Sequence, residues 1–275
     1  MKKYILGILA GLSLSANIAI ADTIHPISRE MGSGTRGAFV EIFGIQKEIQ
    51  GKKVDGTTSK AEVTNSTGVM MTTIANNKNS IGYISLGSLN NTIKAVNIDG
   101  VAPSVANINN KTYKISRPFN IVTKTENPLI TDFLAYSTNA KAVIEKAGYI
   151  VASKNTNFTS KKPSGKLIIA GSSSITPLME KLAESYKSVN PNAVIEISQS
   201  DSTTGVNSVV EGIADIGMVS RELKPAELQK GIKAQVLAID GLAVITNKDN
   251  PIKNISKEGV KKIFLGEITD WKDVK

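Results

Sequence analysis

The chain has 275 residues, 33 Lys plus Arg against 24 Asp plus Glu, one His, no Cys and 5% aromatic residues. Without a thiol there is no disulfide framework, Cys nucleophile or thiol redox centre, and a single His excludes a metal site built on paired imidazoles. A formal charge of +9 raises the question of a polyanionic partner, while 41% hydrophobic residues suffice for one large domain or two small ones.

Lys2 and Lys3 precede an apolar stretch from Ile5 to Ala19, which Ala19-Ile20-Ala21 closes with small residues at cleavage-site spacing. This reads as a secretory signal peptide over residues 1–21, cleaved near Ala21, and implies a periplasmic or secreted mature chain. Ser13, Ser15 and Asn17 make the run too short and too polar for a membrane anchor. Removing Met1 to Ala21 takes away two lysines and no acid, so the charge falls from +9 to +7. In an oxidising compartment a chain without Cys must stand on its core alone.

Further along, Gly34 to Phe43 is a helix candidate and Ile81 to Ile84 a short strand. Lys154 to Gly165 holds Asn, Ser, Thr, three lysines, Pro163 and Gly165, with Phe158 its one large apolar residue, and reads as a surface linker between two packed units. Lys166 to Ala170 predicts a buried strand, Pro177 to Val189 a helix with Pro in its first turn, and Ala193 to Ile197 a second strand. Thr204 to Glu211 predicts a second helix and Asp215 to Val219 a third strand. This alternation predicts an α/β architecture with parallel strands and helices on both faces.

Three segments place small hydroxyl residues and Gly just before a helix: Gly32-Ser-Gly-Thr35, Gly171-Ser-Ser-Ser-Ile-Thr176 and Ser200-Asp-Ser-Thr-Thr-Gly205. A helix start offers unpaired N–H groups and the positive end of the dipole, and Ser or Thr adds donors beside them. Alone, each is ordinary capping; three converging on one point would make an oxyanion site. Arg29, four residues before Ser33, carries a planar fork that matches two oxygens of a tetrahedral anion. The simpler use of that guanidinium is a salt bridge to Glu30 or another acid.

The Arg29 segment, Gly171-Ser-Ser-Ser-Ile-Thr-Pro177, Ala214-Asp-Ile-Gly-Met-Val-Ser-Arg221, Asp240-Gly-Leu-Ala243 and Ile263-Phe-Leu-Gly-Glu-Ile-Thr-Asp-Trp271 together resemble the phosphate-binding protein of the bacterial phosphate ABC transporter (PstS-like). Ile81-Gly-Tyr83 and Arg117-Pro118 fit the same family, and the resemblance covers nearly all of the mature chain. It implies a two-lobed periplasmic-binding-protein fold, type II-like, with the ligand in a cleft between α/β lobes. It further implies an extracytoplasmic receptor that captures inorganic phosphate and hands it to a membrane permease, a monomer needing no cofactor and no catalysis.

The motifs do not follow the family's order, in which the Gly-Ser-Ser segment opens the mature chain and the Arg-Glu-x-Gly-Ser-Gly-Thr segment follows the Trp-Asp segment. This resembles a circular permutation with the usual termini joined through residues 154–165; the rival account is a fragment of two tandem copies. Carried over, the lobes become residues 22–115 with 240–275, and the continuous stretch 116–239, with hinge strands near Tyr113 to Ile121 and Val236 to Ala243. The family motifs place Arg29, Ser33, Gly34, Thr35, Ser174, Ile175, Ser202 and Ser220 at the ligand. Ser220 stands where some members have Asp, whose carboxylate accepts the ligand's proton and repels sulfate; a hydroxyl either donates or accepts. Asp201, Asp240 and Glu30 are the other candidate acceptors.

Other readings are a binder of a different tetrahedral oxyanion such as sulfate, a secreted phosphate sensor, a Ser-dependent hydrolase, or a nucleic-acid binder. The hydrolase lacks a Gly-x-Ser-x-Gly elbow and has only His25 for an imidazole. Scattered lysines and few aromatics argue for a solvated surface and against nucleic acid.

Overall fold

The structure, a computed structural model, describes residues 23–153 and 157–275. The signal-peptide reading and Lys154 to Thr156 of the linker therefore lie outside the described residues.

The first part of the chain runs β1 (His25–Arg29), α1 (Gly34–Phe43), β2 (Gln46–Ile49), β3 (Lys52–Asp55), β4 (Glu62–Thr64), α2 (Thr67–Ala75), β5 (Ser80–Ser85), β6 (Ile93–Ala95), β7 (Asn97–Ile98) and α3 (Val105–Asn109). The middle holds β8 (Ser116–Thr123), α4 (Pro128–Asn139), α5 (Lys141–Lys146), β9 (Ile150–Val151), β10 (Gly165–Ser172), α6 (Thr176–Val189), β11 (Ala193–Ser200), α7 (Ser202–Val210), β12 (Ile216–Val219) and α8 (Pro225–Leu228). The long strand β13 (Lys233–Asn247), β14 (Asn254–Ile255) and α9 (Lys257–Leu265) complete it.

Strands β11, β10 and β12 are parallel, as the sequence alternation predicts, and β8 then pairs antiparallel with β12. The sheet path continues β8-β13-β5-β1-β4. β13 is the element that joins its two halves: Lys233 to Gly241 pairs with β8, and Leu242 to Thr246 pairs with β5. Its second half, Gly-Leu-Ala-Val-Ile, is buried throughout, the apolar run of a strand covered on both faces.

Separate cores flank this shared strand. One packs Phe119, Ile130, Phe133, Leu178, Leu182 and Tyr186 with their neighbours; another packs Phe39, Phe43, Tyr83, Ile263, Phe264 and Trp271. The second draws on both ends of the described chain, and Thr23 forms an antiparallel bridge with Asp270. Two smaller clusters, around Ile27 and Met70 and around Val122 and Val206, fill the opposite faces.

Local chemistry sets the helix ends near the cleft. Ser33 caps α1, accepting the Arg36 N–H at 3.3 Å, and Gly44 ends it in the left-handed conformation with φ 68°. α7 begins at Ser202, two residues before the expected start, because Asp201 is the cap: its carboxylate accepts the N–H groups of Thr203 (2.8 Å) and Thr204 (2.9 Å). Gly171 has φ 130°, and a Cβ there would stand 2.5 Å from the Met218 carbonyl oxygen, so only Gly lets β10 turn against β12 at this point.

The described part of the linker is fastened to one core and does not span open solvent between two units. Asp132 of α4 accepts from Ser160 Oγ (2.6 Å), the Lys161 N–H (2.9 Å) and Tyr186 Oη (2.7 Å), while Phe158 packs on Tyr136. The sequence reading missed this because a polar segment's anchor is a buried carboxylate far along the chain. Among the described residues no helix is long and apolar enough to cross a membrane, and no group of three His, Cys, Asp or Glu is placed to hold a metal.

Candidate functional site

β1 ends at Arg29, β10 at Ser172, β11 at Ser200 and β12 at Val219. In open α/β sheets the carboxyl ends of the strands are where loops and helix N-termini converge on a ligand. Here they bring together buried hydroxyls from both halves of the sheet: Ser172, Ser173, Ser174, Ser202 and Ser220 on one side, Thr35 and Thr67 on the other.

Short contacts run within one side and between the two. Thr35 Oγ1 lies 2.7 Å from Ser174 Oγ, and Thr67 Oγ1 3.2 Å from the same atom. Ser172 Oγ donates to Ser220 Oγ at 2.8 Å, and the Ser220 N–H donates to Ser202 Oγ at 3.0 Å. The Gly32 carbonyl accepts from the Thr203 N–H (3.2 Å) and from Thr203 Oγ1 (3.1 Å). At Gly34 a Cβ would fall 2.3 Å from Ser202 Oγ and 2.7 Å from Ser220 Oγ, so glycine there lets α1 close on the opposite side.

Arg29 is 2% exposed. The salt-bridge reading of it holds: Nε and Nη2 donate to the Glu30 carboxylate at 2.8 and 2.6 Å, and Nη2 also donates to Ser173 Oγ at 3.1 Å. Its backbone is clamped as well. The Arg29 N–H donates to Tyr83 Oη (3.1 Å), and its carbonyl accepts from Arg36 Nη1 (2.7 Å). Arg36 in turn pairs with Asp55 at 2.6 Å. Burial pushes the Asp55 carboxyl up, but the bonds from Arg36 and Thr57 outweigh it and hold the group below its usual range.

Arg117 of β8 and Asp240 of β13 form a fully buried ion pair beside this cluster. Arg117 Nε and Nη2 donate to Asp240 Oδ2 at 3.2 and 3.1 Å, Ser85 Oγ donates to Oδ1 at 2.8 Å, and Arg117 Nη1 donates to the Ser220 carbonyl at 2.9 Å. Burial raises the Asp240 carboxyl to about 6, against the opposing pull of Arg117, Ser85 and the Gly87 N–H.

Of the residues the sequence singles out, Arg29, Gly34, Thr35, Ser174, Ser202 and Ser220 meet at the cleft. Ser33 caps α1 from behind, and Ile175 is buried in the core below α6 with its N–H donated to the Ser172 carbonyl. Sequence reasoning named the 171–176 segment without assigning Ser172 or Ser173 a role of their own, and it missed Thr67. The signal for Thr67 was present: Asn65-Ser-Thr-Gly68 before the apolar start of α2 repeats the hydroxyl-and-glycine pattern of the other three segments. Of the candidate acceptors, Glu30 is engaged with Arg29, Asp201 with the α7 N-terminus and Asp240 with Arg117. His25 is exposed at the start of β1, a strand's length, roughly 13 Å, from the end that carries Arg29. The cleft serines have no imidazole beside them.

A family model described as a PBP superfamily domain matches residues 10–141 and 156–275. "Phosphate-binding protein PstS 2" of Streptococcus agalactiae is 51% identical over 274 residues, covering 98% of this chain and 94% of its own. "Phosphate-binding protein PstS" of Bacillus subtilis is 39% identical over 131 residues, 44% of this chain and 43% of its own. The crystal structure of a phosphate ABC transporter, phosphate-binding protein from Streptococcus pneumoniae superposes with a TM-score of 0.71 at 43% identity, over 92% of this chain and 100% of that one. The two-core sheet, with its hydroxyl-lined cleft at the strand ends, is thus the α/β fold of binding proteins. The chain belongs to the PBP superfamily, among its PstS-like members.

Proposed function

We propose that this chain captures inorganic phosphate in the cleft between its lobes and delivers it to the membrane permease of an ABC transporter. It works outside the cytoplasm, as a monomer, by binding and without catalysis. The observation that carries the reading is the convergence, on one buried Arg29, of hydroxyls and helix N-termini supplied from both halves of the sheet. Such an arrangement neutralises a tetrahedral anion with directed N–H and O–H donors and one guanidinium fork.

In this reading Arg29, Gly34, Thr35, Ser174, Ser202 and Ser220 form the ligand shell, Gly34 through its backbone, while Ser33 caps α1 and the Ile175 N–H is already bonded to the Ser172 carbonyl. The phosphate oxygens take over hydroxyls that otherwise contact one another, such as Thr35 and Ser174. Since both lobes supply contacts, binding favours the closed state. The lobes are residues 22–115 with 240–275, and 116–239, flexing about β8 and β13. The motif order is that of a circular permutation. Two observations support it: the Bacillus subtilis relative aligns over less than half of either chain, and residues near both ends complete one core.

Titration calorimetry of the protein with phosphate, sulfate and arsenate tests the function. Phosphate binding at one site per chain is expected. Binding to none of these oxyanions overturns the reading, and sulfate binding without phosphate replaces it with that of a sulfate receptor.

A further inference from the structure

Ser173 is 3% exposed and makes more cross-cleft contacts than any residue assigned above to the ligand. Its Oγ accepts from Arg29 Nη2 at 3.1 Å and from the Thr67 N–H at 3.2 Å, and lies 3.3 Å from Thr67 Oγ1. Arg29 ends β1 and Thr67 opens α2, on one side of the cleft; Ser173 lies between β10 and α6, on the other. A serine oxygen has two lone pairs and one proton. Arg29 and the Thr67 N–H use the lone pairs, which leaves the proton for Thr67 Oγ1.

The contacts continue from there. Thr67 Oγ1 is 3.2 Å from Ser174 Oγ, which is 2.7 Å from Thr35 Oγ1. The path Arg29, Ser173, Thr67, Ser174, Thr35 changes side at every step. Every link in it therefore exists only while the cleft is shut, and opening must break all of them and hydrate each group. Thr67 is itself buried, and as the first residue of a nine-residue helix it brings a further positive helix end to the anion.

We propose that Ser173 and Thr67 form a closure clasp: Ser173 is a positioning residue that aims the Arg29 guanidinium, and Thr67 locks it to the opposite wall, so that together they set how long the bound anion is held. The inference rests on the phosphate reading and adds two residues to it. A clasp that forms only on closure acts on release, because entry occurs through the open state.

Stopped-flow kinetics with inorganic phosphate on the intact protein test this, using Ser173→Ala, Thr67→Val and the double variant. Each single substitution is near-isosteric and is expected to raise koff about tenfold, the effect of losing one hydrogen bond to or beside a charged group, with kon little changed. The double variant should release phosphate more slowly than the product of the two single effects, since both substitutions remove the Ser173 Oγ–Thr67 Oγ1 contact. Thr67→Ser, which keeps the hydroxyl, should restore slow release; a purely structural role for the threonine methyl would not allow that rescue. Unchanged koff, fully multiplicative effects, or loss confined to kon overturns the clasp. If the unsubstituted protein binds phosphate and the variants match it, only the clasp fails; if the unsubstituted protein does not bind phosphate, the functional reading fails with it.

Discussion

Arg117 donates to the backbone carbonyl of Ser220 at 2.9 Å, so a buried cation on β8 holds the peptide that carries the Ser220 hydroxyl. The same guanidinium is paired with Asp240, and the pair is completed by Ser85 and the Gly87 N–H, with Tyr149 close by. The position of Ser220 and the integrity of this ion pair are thus coupled through one peptide unit.

That pair has a pH signature. Burial raises the Asp240 carboxyl from 3.8 to about 6 in the folded protein. A carboxyl raised on folding contributes stability that is complete below its unfolded pKa and lost as pH rises through the folded value. Between pH 4 and 6 the stability due to Asp240 should therefore fall, then level off. Urea unfolding of the protein and of Asp240→Asn across this range should show the unsubstituted chain losing ground relative to the variant as pH rises. A carboxyl resonance of Asp240 titrating below pH 4 would contradict the assignment.

Gly34→Ala separates closure from folding. The added Cβ would stand 2.3 Å from Ser202 Oγ and 2.7 Å from Ser220 Oγ when the cleft is shut, while at the first position of α1 Ala is at least as good a helix former as Gly. Phosphate affinity should drop at least about tenfold, the scale of a displaced hydrogen bond to a charged ligand, with the thermal midpoint of the free protein unchanged or raised. Full affinity would show that the glycine is not needed for closure.

Arg29→Lys keeps the charge and loses the fork. A lysine ammonium cannot hold Glu30 with two parallel bonds while reaching Ser173 and an anion. The expected loss of phosphate binding is about 1.5–3 kcal/mol, that of a hydrogen bond to a charged group, with circular dichroism unchanged. An unaltered dissociation constant would remove Arg29 from the site.

Asp132→Ala should free the segment that follows residue 156. Burial pushes this carboxyl up, but bonds from Ser160, Tyr186 and Lys161 hold it below its usual range, which marks it as a working anchor. Losing it leaves Tyr186 without an acceptor, at a cost of about 1–3 kcal/mol. Trypsin should then cut after Lys161 faster than in the parent protein, and equal rates would show that the anchor is dispensable.

The permuted order can be tested by reversing it. A chain in which residues 157–275 precede 23–153, joined through a flexible linker, should fold and bind phosphate as the parent does, because Thr23 already pairs with Asp270 and the Ile24 N–H donates to the Thr269 carbonyl at 2.9 Å. A reversed chain that folds without binding, or does not fold, would argue against the permutation.

What could be read from the sequence was what is local. The strands and helices from Lys166 to Val219 carry their periods and turn residues in the chain, and α1 appears where Gly34 to Phe43 predicts it. The hairpin of β2 and β3, Gln-Lys-Glu-Ile and Lys-Lys-Val-Asp, is largely exposed and shows no apolar alternation, so nothing marked it as a strand pair. Asp201 displaced Ser and Thr as the α7 cap, which only geometry could decide. The site divides in the same way. Arg29 and the serine segments announce themselves by type and position, whereas Ser173 and Thr67 matter through a meeting across 106 residues of chain. The burial of Arg29 beside the hydroxyl cluster is likewise a tertiary property.

The strand β13, paired with β8 along its first part and with β5 along its last, also bears on how the molecule comes apart. Neither core can lose its sheet without releasing a strand that the other core needs. Denaturation should therefore proceed in one step, and the backbone amides on either side of Gly241 should share a single, slow rate of hydrogen exchange. The strand that ties the two cores together thus prevents the molecule from melting in halves.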